Sequence, residues 1–176
     1  MATESKLKNP MRNIFIEKVT LNIGAGRDVN RLEGGFKLLS KLTGRTPVKT
    51  RAKHRIPNWD IRPGLQIGVK VTVRGEEARE LLTRLFEGAG NKIKARAFDD
   101  RGNFSFGIPE YIEIPGMKYD HSLGLFGLEV SVTLARKGYR IAKRKIKNKP
   151  LPKSVWISKE EAIDFVKSNF NVEIVQ

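Results

Sequence analysis

The sequence predicts one α+β domain, in which a mostly antiparallel sheet has helices packed on one face. Three observations support this prediction. Strands with period-two alternation are interspersed with helices of 3.6-residue periodicity, several strands fall late in the chain, and the 176 residues contain no repeat or clear inter-domain linker. A chain of this length can bury a full core. We therefore expect a single domain over residues 1–176, with a basic C-terminal extension over residues 137–176.

The strands are predicted from aliphatic residues that alternate with polar ones between turn residues. In the first strand, Val19, Leu21 and Ile23 alternate with Thr20 and Asn22. The same reasoning predicts strands over residues 14–24, 46–51, 65–74, 94–98, 104–106, 111–114 and 128–136. A loop spans residues 52–64, and residues 99–103 are typical of a hairpin connection.

The helices are predicted from apolar residues at spacings of three and four. They run over residues 28–44, 75–88 and 158–170. The Gly34-Gly35 pair in the first of them must be compensated by packing or by a bend. Ser158 and Glu161 have the spacing of a capping box, which begins the last helix. Residues 1–13 are polar and are interrupted by Pro10, so we expect a short helix or an arm there.

The charge of the chain favours a polyanionic partner. There are 34 Lys and Arg residues against 19 Asp and Glu, a formal net charge of +15, and the sequence pI is about 10.2. Such a charge costs self-repulsion that a polyanion relieves. The alternative is a basic surface that only keeps the protein in solution, but the charge is clustered in the interior of the sequence.

Composition also excludes several kinds of site. With no cysteine, the chain has no disulfide, thiolate nucleophile or cysteine-ligated zinc, which fits a reducing cytosol. The first residues lack an apolar signal core, and no stretch reaches the roughly 18 consecutive apolar residues of a membrane span. We expect a cytoplasmic protein without membrane contact.

One side of the predicted sheet should be an open polar surface. Because side chains alternate along a strand, the polar residues of each strand share a face. Short hydroxyl, amide and glycine positions on that face would let an RNA backbone approach closely. An ordinary solvated face is the alternative. The absence of aromatic residues favours structured RNA over stacked single-stranded bases. The residues of this face are Thr20, Asn22, Gln66, Gly68, Lys70, Thr72, Arg74, Glu129, Ser131 and Thr133.

Two basic stretches lie inside the sequence. Residues 51–64 form a long basic loop with one aromatic residue, Trp59, stiffened by Pro57 and Pro63. Residues 136–153 contain nine Lys or Arg residues and no acid. We expect the second stretch to be unstable unless it lies against phosphates, although a solvated charged segment is the alternative.

Five segments of the chain together resemble one known family. They are residues 16–26, 42–47, 50–53, 67–75 and 98–108, which include Leu21-Asn22-Ile23-Gly24-Ala25-Gly26, Thr50-Arg51-Ala52-Lys53 and Gly68-Val69-Lys70-Val71-Thr72. The segments occur in the order found in the large-subunit ribosomal protein L-five family. The basic stretch and the last helix resemble the archaeal version of this family.

The resemblance implies a non-enzymatic protein of the central protuberance that binds 5S rRNA and helps attach it to the large subunit. It implies 5S contacts by Thr20, Asn22, Gln66, Lys70 and Thr72, with Lys49 and Thr50 nearby. It implies that a loop carrying Arg51, Lys53, His54, Arg55, Trp59 and Arg62 approaches P-site tRNA. Contacts to large-subunit rRNA are expected from Arg136, Lys137, Arg140, Lys143, Arg144 and Lys145. The resemblance also implies a bridge to a protein of the small-subunit head. We do not expect the protein to form homo-oligomers.

Two other classes of function are alternatives to a ribosomal 5S rRNA-binding protein. An RNA-acting enzyme is disfavoured because His54 and His121 lie far apart, outside any metal-ligand pattern, and because Val29 stands where a dinucleotide turn would need its third glycine. We therefore expect no catalytic residue, metal or cofactor. A generic RNA chaperone or basic protein-interaction module is the other alternative, and it should show little preference for 5S rRNA over an unrelated duplex.

Overall fold

The computed structural model describes residues 9–121 and 123–175. The strands are β1 (Ile14–Gly24), β2 (Val48–Arg51), β3 (Gln66–Val73), β4 (Lys92–Lys94), β5 (Phe104–Ile108), β6 (Leu128–Arg136) and β7 (Glu173–Val175). The helices are α1 (Val29–Thr43), α2 (Glu76–Gly88) and α3 (Lys159–Phe170). A short 3-10 turn, Pro10–Arg12, precedes β1. The arm predicted for residues 1–13 falls partly outside the described residues.

Five strands form one antiparallel sheet in the order β2-β3-β1-β6-β5. The α+β prediction, with a mostly antiparallel sheet, is confirmed. A second, two-stranded sheet joins β4 and β7 in parallel. We did not predict β7, because three residues are too few to show an alternating pattern.

The core lies on the aliphatic side of the large sheet. Val19, Leu21 and Ile23 of β1 are at most 2% exposed. They belong to one buried cluster that also contains residues of all three helices, including Leu39 of α1 and Leu82 of α2. Helices therefore cover one face, and the alternate residues of the same strands point to the other face.

The two glycines inside α1 permit close packing. A Cβ on Gly34 would lie 3.0 Å from the ring of Phe126, and a Cβ on Gly35 would lie 3.3 Å from Cγ2 of Ile23. Both glycines are buried. The absence of side chains at these two positions lets α1 pack closely against the sheet and against the loop before β6. This packing offsets the loss of helix propensity that the two glycines cause.

Two strand predictions were wrong. Strand β4 ends at Lys94, and the residues after it form a 3-10 turn, Ala95–Ala97. The segment predicted as a strand over residues 111–114 is the 3-10 turn Tyr111–Glu113. The phenol of Tyr111 is buried, and its oxygen accepts a hydrogen bond from the Asp120 backbone N–H at 3.0 Å. This tertiary contact, which a short alternating pattern cannot reveal, fixes the turn.

Candidate nucleic-acid interface

The polar residues of the sheet align across strands into rows. Thr20 in β1 lies opposite Thr72 in β3 and opposite Ser131 in β6. One row further, Asn22 lies between Lys70 and Glu129. We call this surface the polar face; its members are Thr20, Asn22, Thr50, Gln66, Gly68, Lys70, Thr72, Ser105, Glu129, Ser131 and Thr133.

The polar face is shallow, with short groups at its centre. Thr20, Asn22 and Thr72 are half-buried, whereas Lys70 and Ser131 are exposed. The hydroxyl oxygens of Thr20 and Thr72 are 3.5 Å apart. Nδ2 of Asn22 donates to a carboxylate oxygen of Glu129 at 3.2 Å. The surface thus presents hydroxyl and amide groups, with an ammonium beside them, to any ligand that lies flat on the sheet.

Close packing fixes Thr50 on this face. Gly68 is buried opposite Thr50, and a Cβ at Gly68 would lie 2.9 Å from the Ile23 carbonyl oxygen and 3.0 Å from the Thr50 hydroxyl. Lys49, the neighbouring residue, lies on the opposite side. Its ammonium stands 5.9 Å from the ring centroid of Phe36 in α1. Of the seven residues predicted to contact 5S rRNA, Lys49 is therefore the one that lies outside the polar face.

The basic loop between β2 and β3 carries its own scaffold. Ala52 donates its N–H to the Leu65 carbonyl at 2.8 Å, and Ile56 and Ile61 exchange backbone hydrogen bonds of 3.0 and 3.1 Å. Ile61 is 5% exposed. The predicted tRNA-facing residues Arg51, Lys53, His54, Arg55, Trp59 and Arg62 are all exposed.

Sequence analysis missed Arg27 as a member of this loop site. Its guanidinium donates to the Asp60 carboxylate at 2.9 Å and so ties the turn after β1 to the loop. Arg27, Arg55 and Arg62 line a cavity of about 450 Å³ that also contains Asp60. Arg27 lies outside both basic stretches, and its pairing with Asp60 across 33 residues depends on the fold.

The structure corrects the interpretation of the C-terminal basic stretch. Arg136 is 4% exposed; its guanidinium pairs with Glu161 at 2.7 Å and donates to the Val155 carbonyl at 3.3 Å. It is therefore a buried structural residue that lies away from any RNA-accessible surface. The other five predicted rRNA contacts are exposed: Lys137, Arg140, Lys143, Arg144 and Lys145.

The same stretch also makes contacts within the protein. The Tyr139 hydroxyl donates to the Val155 carbonyl at 2.8 Å. The Lys143 ammonium pairs with the Glu17 carboxylate. Arg144 donates from Nε to the Lys147 carbonyl at 2.7 Å. The segment thus has hydrogen bonds and an ion pair within the protein, and its instability in the absence of phosphates stays a prediction.

Glu161 links the end of β6 to the start of α3. It forms the predicted capping box with Ser158 and also accepts from Arg136. Burial alone would raise the pKa of this carboxyl. The hydrogen bonds from the Ser158 backbone and the Arg136 guanidinium, together with the charge of Arg136, outweigh burial and lower the pKa below its usual value.

Two other kinds of feature are absent from residues 9–121 and 123–175. No group of three or more His, Asp or Glu side chains there is placed to hold a metal ion. No helix in this part of the chain is long and apolar enough to cross a membrane.

Comparison with known proteins agrees with the features described above. The family model described as "Ribosomal protein L5" matches residues 9–62, and a second model, which describes the C-terminus of the same ribosomal family, matches residues 66–165. The chain is 53% identical to the "Large ribosomal subunit protein uL5" of Nanoarchaeum equitans over 170 residues, which cover 96% of this chain and 100% of the relative. It is 48% identical to that of Sulfurisphaera tokodaii over 174 residues, 98% of each chain. Identity at this coverage, across both halves of the sheet, means that the chain belongs to the ribosomal protein L5 family.

Proposed function

We propose that this protein is a constituent of the large ribosomal subunit in the cytoplasm, where its polar face binds 5S rRNA and helps attach that RNA to the subunit. Membership in the family supports the ribosomal part of the proposal. The observation that carries the RNA-binding part is the pair of rows centred on Thr20 and Asn22, in which short polar groups lie beside Lys70.

The chemistry of these rows suits a folded RNA. Hydroxyl and amide groups can form hydrogen bonds with 2′-hydroxyls and phosphate oxygens. A surface made of such groups recognises a folded RNA by its shape. Lys70 in one row supplies an ammonium group for phosphates, and Arg74, just after the end of β3, supplies a guanidinium group at the edge of the polar face. The rows carry no aromatic side chain, so stacking of extruded bases is not part of the proposed mode.

A competition experiment tests this proposal. Labelled 5S rRNA is bound by the full chain, and unlabelled 5S rRNA or an unrelated RNA duplex of equal length is added at several salt concentrations. We expect 5S rRNA to compete at least tenfold better than the duplex, and affinity to fall steeply with salt, as for other complexes dominated by phosphate contacts. Equal competition by both RNAs would favour the generic chaperone instead. Footprinting of 5S rRNA would then locate the contacted nucleotides.

We further propose that the basic loop approaches P-site tRNA. The cavity lined by Arg27, Arg55 and Arg62 supports this, because guanidinium groups bond phosphates in pairs of hydrogen bonds. The loop scaffold would hold these groups in place before tRNA arrives. The remaining surface would include the bridge to a small-subunit head protein. The exposed residues Lys137, Arg140, Lys143, Arg144 and Lys145 would contact large-subunit rRNA.

Replacing both Arg55 and Arg62 with Gln is expected to leave 5S affinity within about twofold and to weaken P-site tRNA binding by roughly tenfold or more, since two charge-assisted hydrogen bonds are removed. Ribosomes reconstituted with the variant would be titrated with tRNA. Lys94 and Arg96, which are exposed and lie outside the loop, provide a control pair that removes the same charge when both are replaced with Gln. A loss of 5S binding in the Arg55→Gln, Arg62→Gln variant would mean that the loop has been misassigned.

A further inference from the structure

An acidic residue lies between two cations at one end of the polar face. The Glu17 side chain is 19% exposed, and its carboxylate oxygens both accept from the Lys143 ammonium. The Arg74 guanidinium lies 3.7 Å from the same carboxylate. Lys143 and Arg74 themselves are more than half exposed, at 55% and 58%. Glu17 thus joins the end of β3 to the basic segment that follows β6.

A β-bulge places Glu17 in this position. In the pairing of β1 with β6, Ile16 lies opposite Leu134 and Lys18 lies opposite Thr133, so Glu17 is the inserted residue. A bulged residue is re-aimed relative to the regular pleat. Here Ile16 keeps its place against the core, Lys18 joins the polar register, and the carboxylate between them reaches the segment beyond β6.

The start of the basic segment is held by hydrogen bonds of Arg136 and Tyr139 to Val155, whereas the described residues of its middle donate to backbone carbonyls within the segment itself. Between residues 140 and 149, the pair of Lys143 with Glu17 is the one ion pair to the sheet among the described residues. The cations next to Lys143, namely Arg140, Arg144 and Lys145, are exposed.

We propose that Glu17 is a positioning residue for RNA binding, which holds Lys143 and the neighbouring cations of the segment against the end of the polar face. Phosphates of one bound RNA would then meet the sheet and the segment as a continuous cationic surface. This inference rests on the proposed function, because it concerns how the same RNA surface is assembled.

The sign of one substitution distinguishes positioning from simple charge. Removing an acid near a polyanion site should raise affinity if only net charge matters. If Glu17 positions the segment, Glu17→Gln should instead weaken binding of 5S rRNA by about tenfold, since several long side chains must be ordered again on binding. Glu33→Gln is the matched control, because Glu33 is an exposed acid on α1, which packs on the opposite side of the sheet from the polar face. It should bind as tightly as the wild type or about twofold more tightly.

The experiment measures 5S affinity and its salt dependence for the full-length wild type, Glu17→Gln, Glu33→Gln, Lys143→Gln and the double variant of Glu17→Gln with Lys143→Gln. We expect the double variant to match Lys143→Gln, because Glu17 acts through Lys143. We also expect a shallower salt slope in Glu17→Gln, by about one unit for each phosphate that the segment no longer neutralises. Circular dichroism of Glu17→Gln that matches the wild type would show that the change in slope does not come from unfolding.

Two results would overturn the inference while wild-type binding stays intact. One is a Glu17→Gln affinity equal to or above that of Glu33→Gln. The other is additive losses in the double variant. A wild-type protein that shows no preference for 5S rRNA would instead overturn the proposed function, and this inference with it.

Discussion

The Asn22→Ala, Lys70→Ala double variant is expected to bind 5S rRNA about 100-fold more weakly than the wild type, with its fold intact. The estimate assigns about tenfold to each side chain, for one hydrogen bond to a charged group at Asn22 and one phosphate contact at Lys70. These residues lie opposite each other in adjacent strands. Because Lys70 is exposed and Asn22 is half-buried on the side away from the core, neither substitution removes core packing.

Filter binding at fixed salt and thermal unfolding would measure the two effects separately. A matched control replaces Asn30 and Lys37 with Ala, since both are exposed residues of α1 and lie outside the polar face. The control should keep its affinity within about threefold. If the Asn22, Lys70 variant binds like the wild type, the polar face is not the 5S site, and the basic segments must carry the binding.

Glu161→Ala is expected to give the largest loss of stability, about 3 kcal/mol in the free energy of unfolding. The substitution leaves the Arg136 guanidinium, which is 4% exposed, without its counter-charge. It also removes one half of the capping box that starts α3. Glu160→Ala is the control, because Glu160 is an exposed neighbour in the same turn, and it should change stability by no more than about 0.5 kcal/mol.

The stability that depends on Glu161 should also vary with pH. Its folded-state pKa is lowered from 4.5, so the unfolded chain takes up a proton first as pH falls. The contribution is therefore present above pH 4.5 and is lost as pH falls through the lower, folded-state pKa. Urea titrations of the wild type and Glu161→Gln should differ at pH 7 and converge in acid. A constant difference across this range would contradict the assignment.

The long elements could be predicted from the sequence because each combines a clear period with a terminal signal. Strand β6 alternates from Leu128 to Leu134, and α1 is followed by Gly44 in the left-handed conformation with φ of 64°. Tyr111 shows the limit of this reasoning, because a buried phenol and a hydrogen bond across nine residues determine a local turn. The membership of the polar face was predictable for the same reason as the strands. Because side chains alternate between the two faces of a strand, the period of two assigns each residue to a face.

The contacts between distant charges could not be predicted in this way. Arg136 belongs to a basic run in the sequence, yet its guanidinium is buried and pairs with Glu161, 25 residues further on. Glu17 and Lys143 are separated by 126 residues. The sequence shows how many cations a segment has. Which of these cations pair with an acid of the same chain depends on the register of β1 and β6 and on one bulge.

The position of Arg136 at the last residue of β6 has a consequence for how the chain matures. All five strands of the large sheet end by residue 136, 25 residues before Glu161. In a polypeptide made from its N-terminus, Arg136 is therefore synthesised before the acid that pairs with it. The last helix of the chain supplies the counter-charge for the end of a strand made earlier.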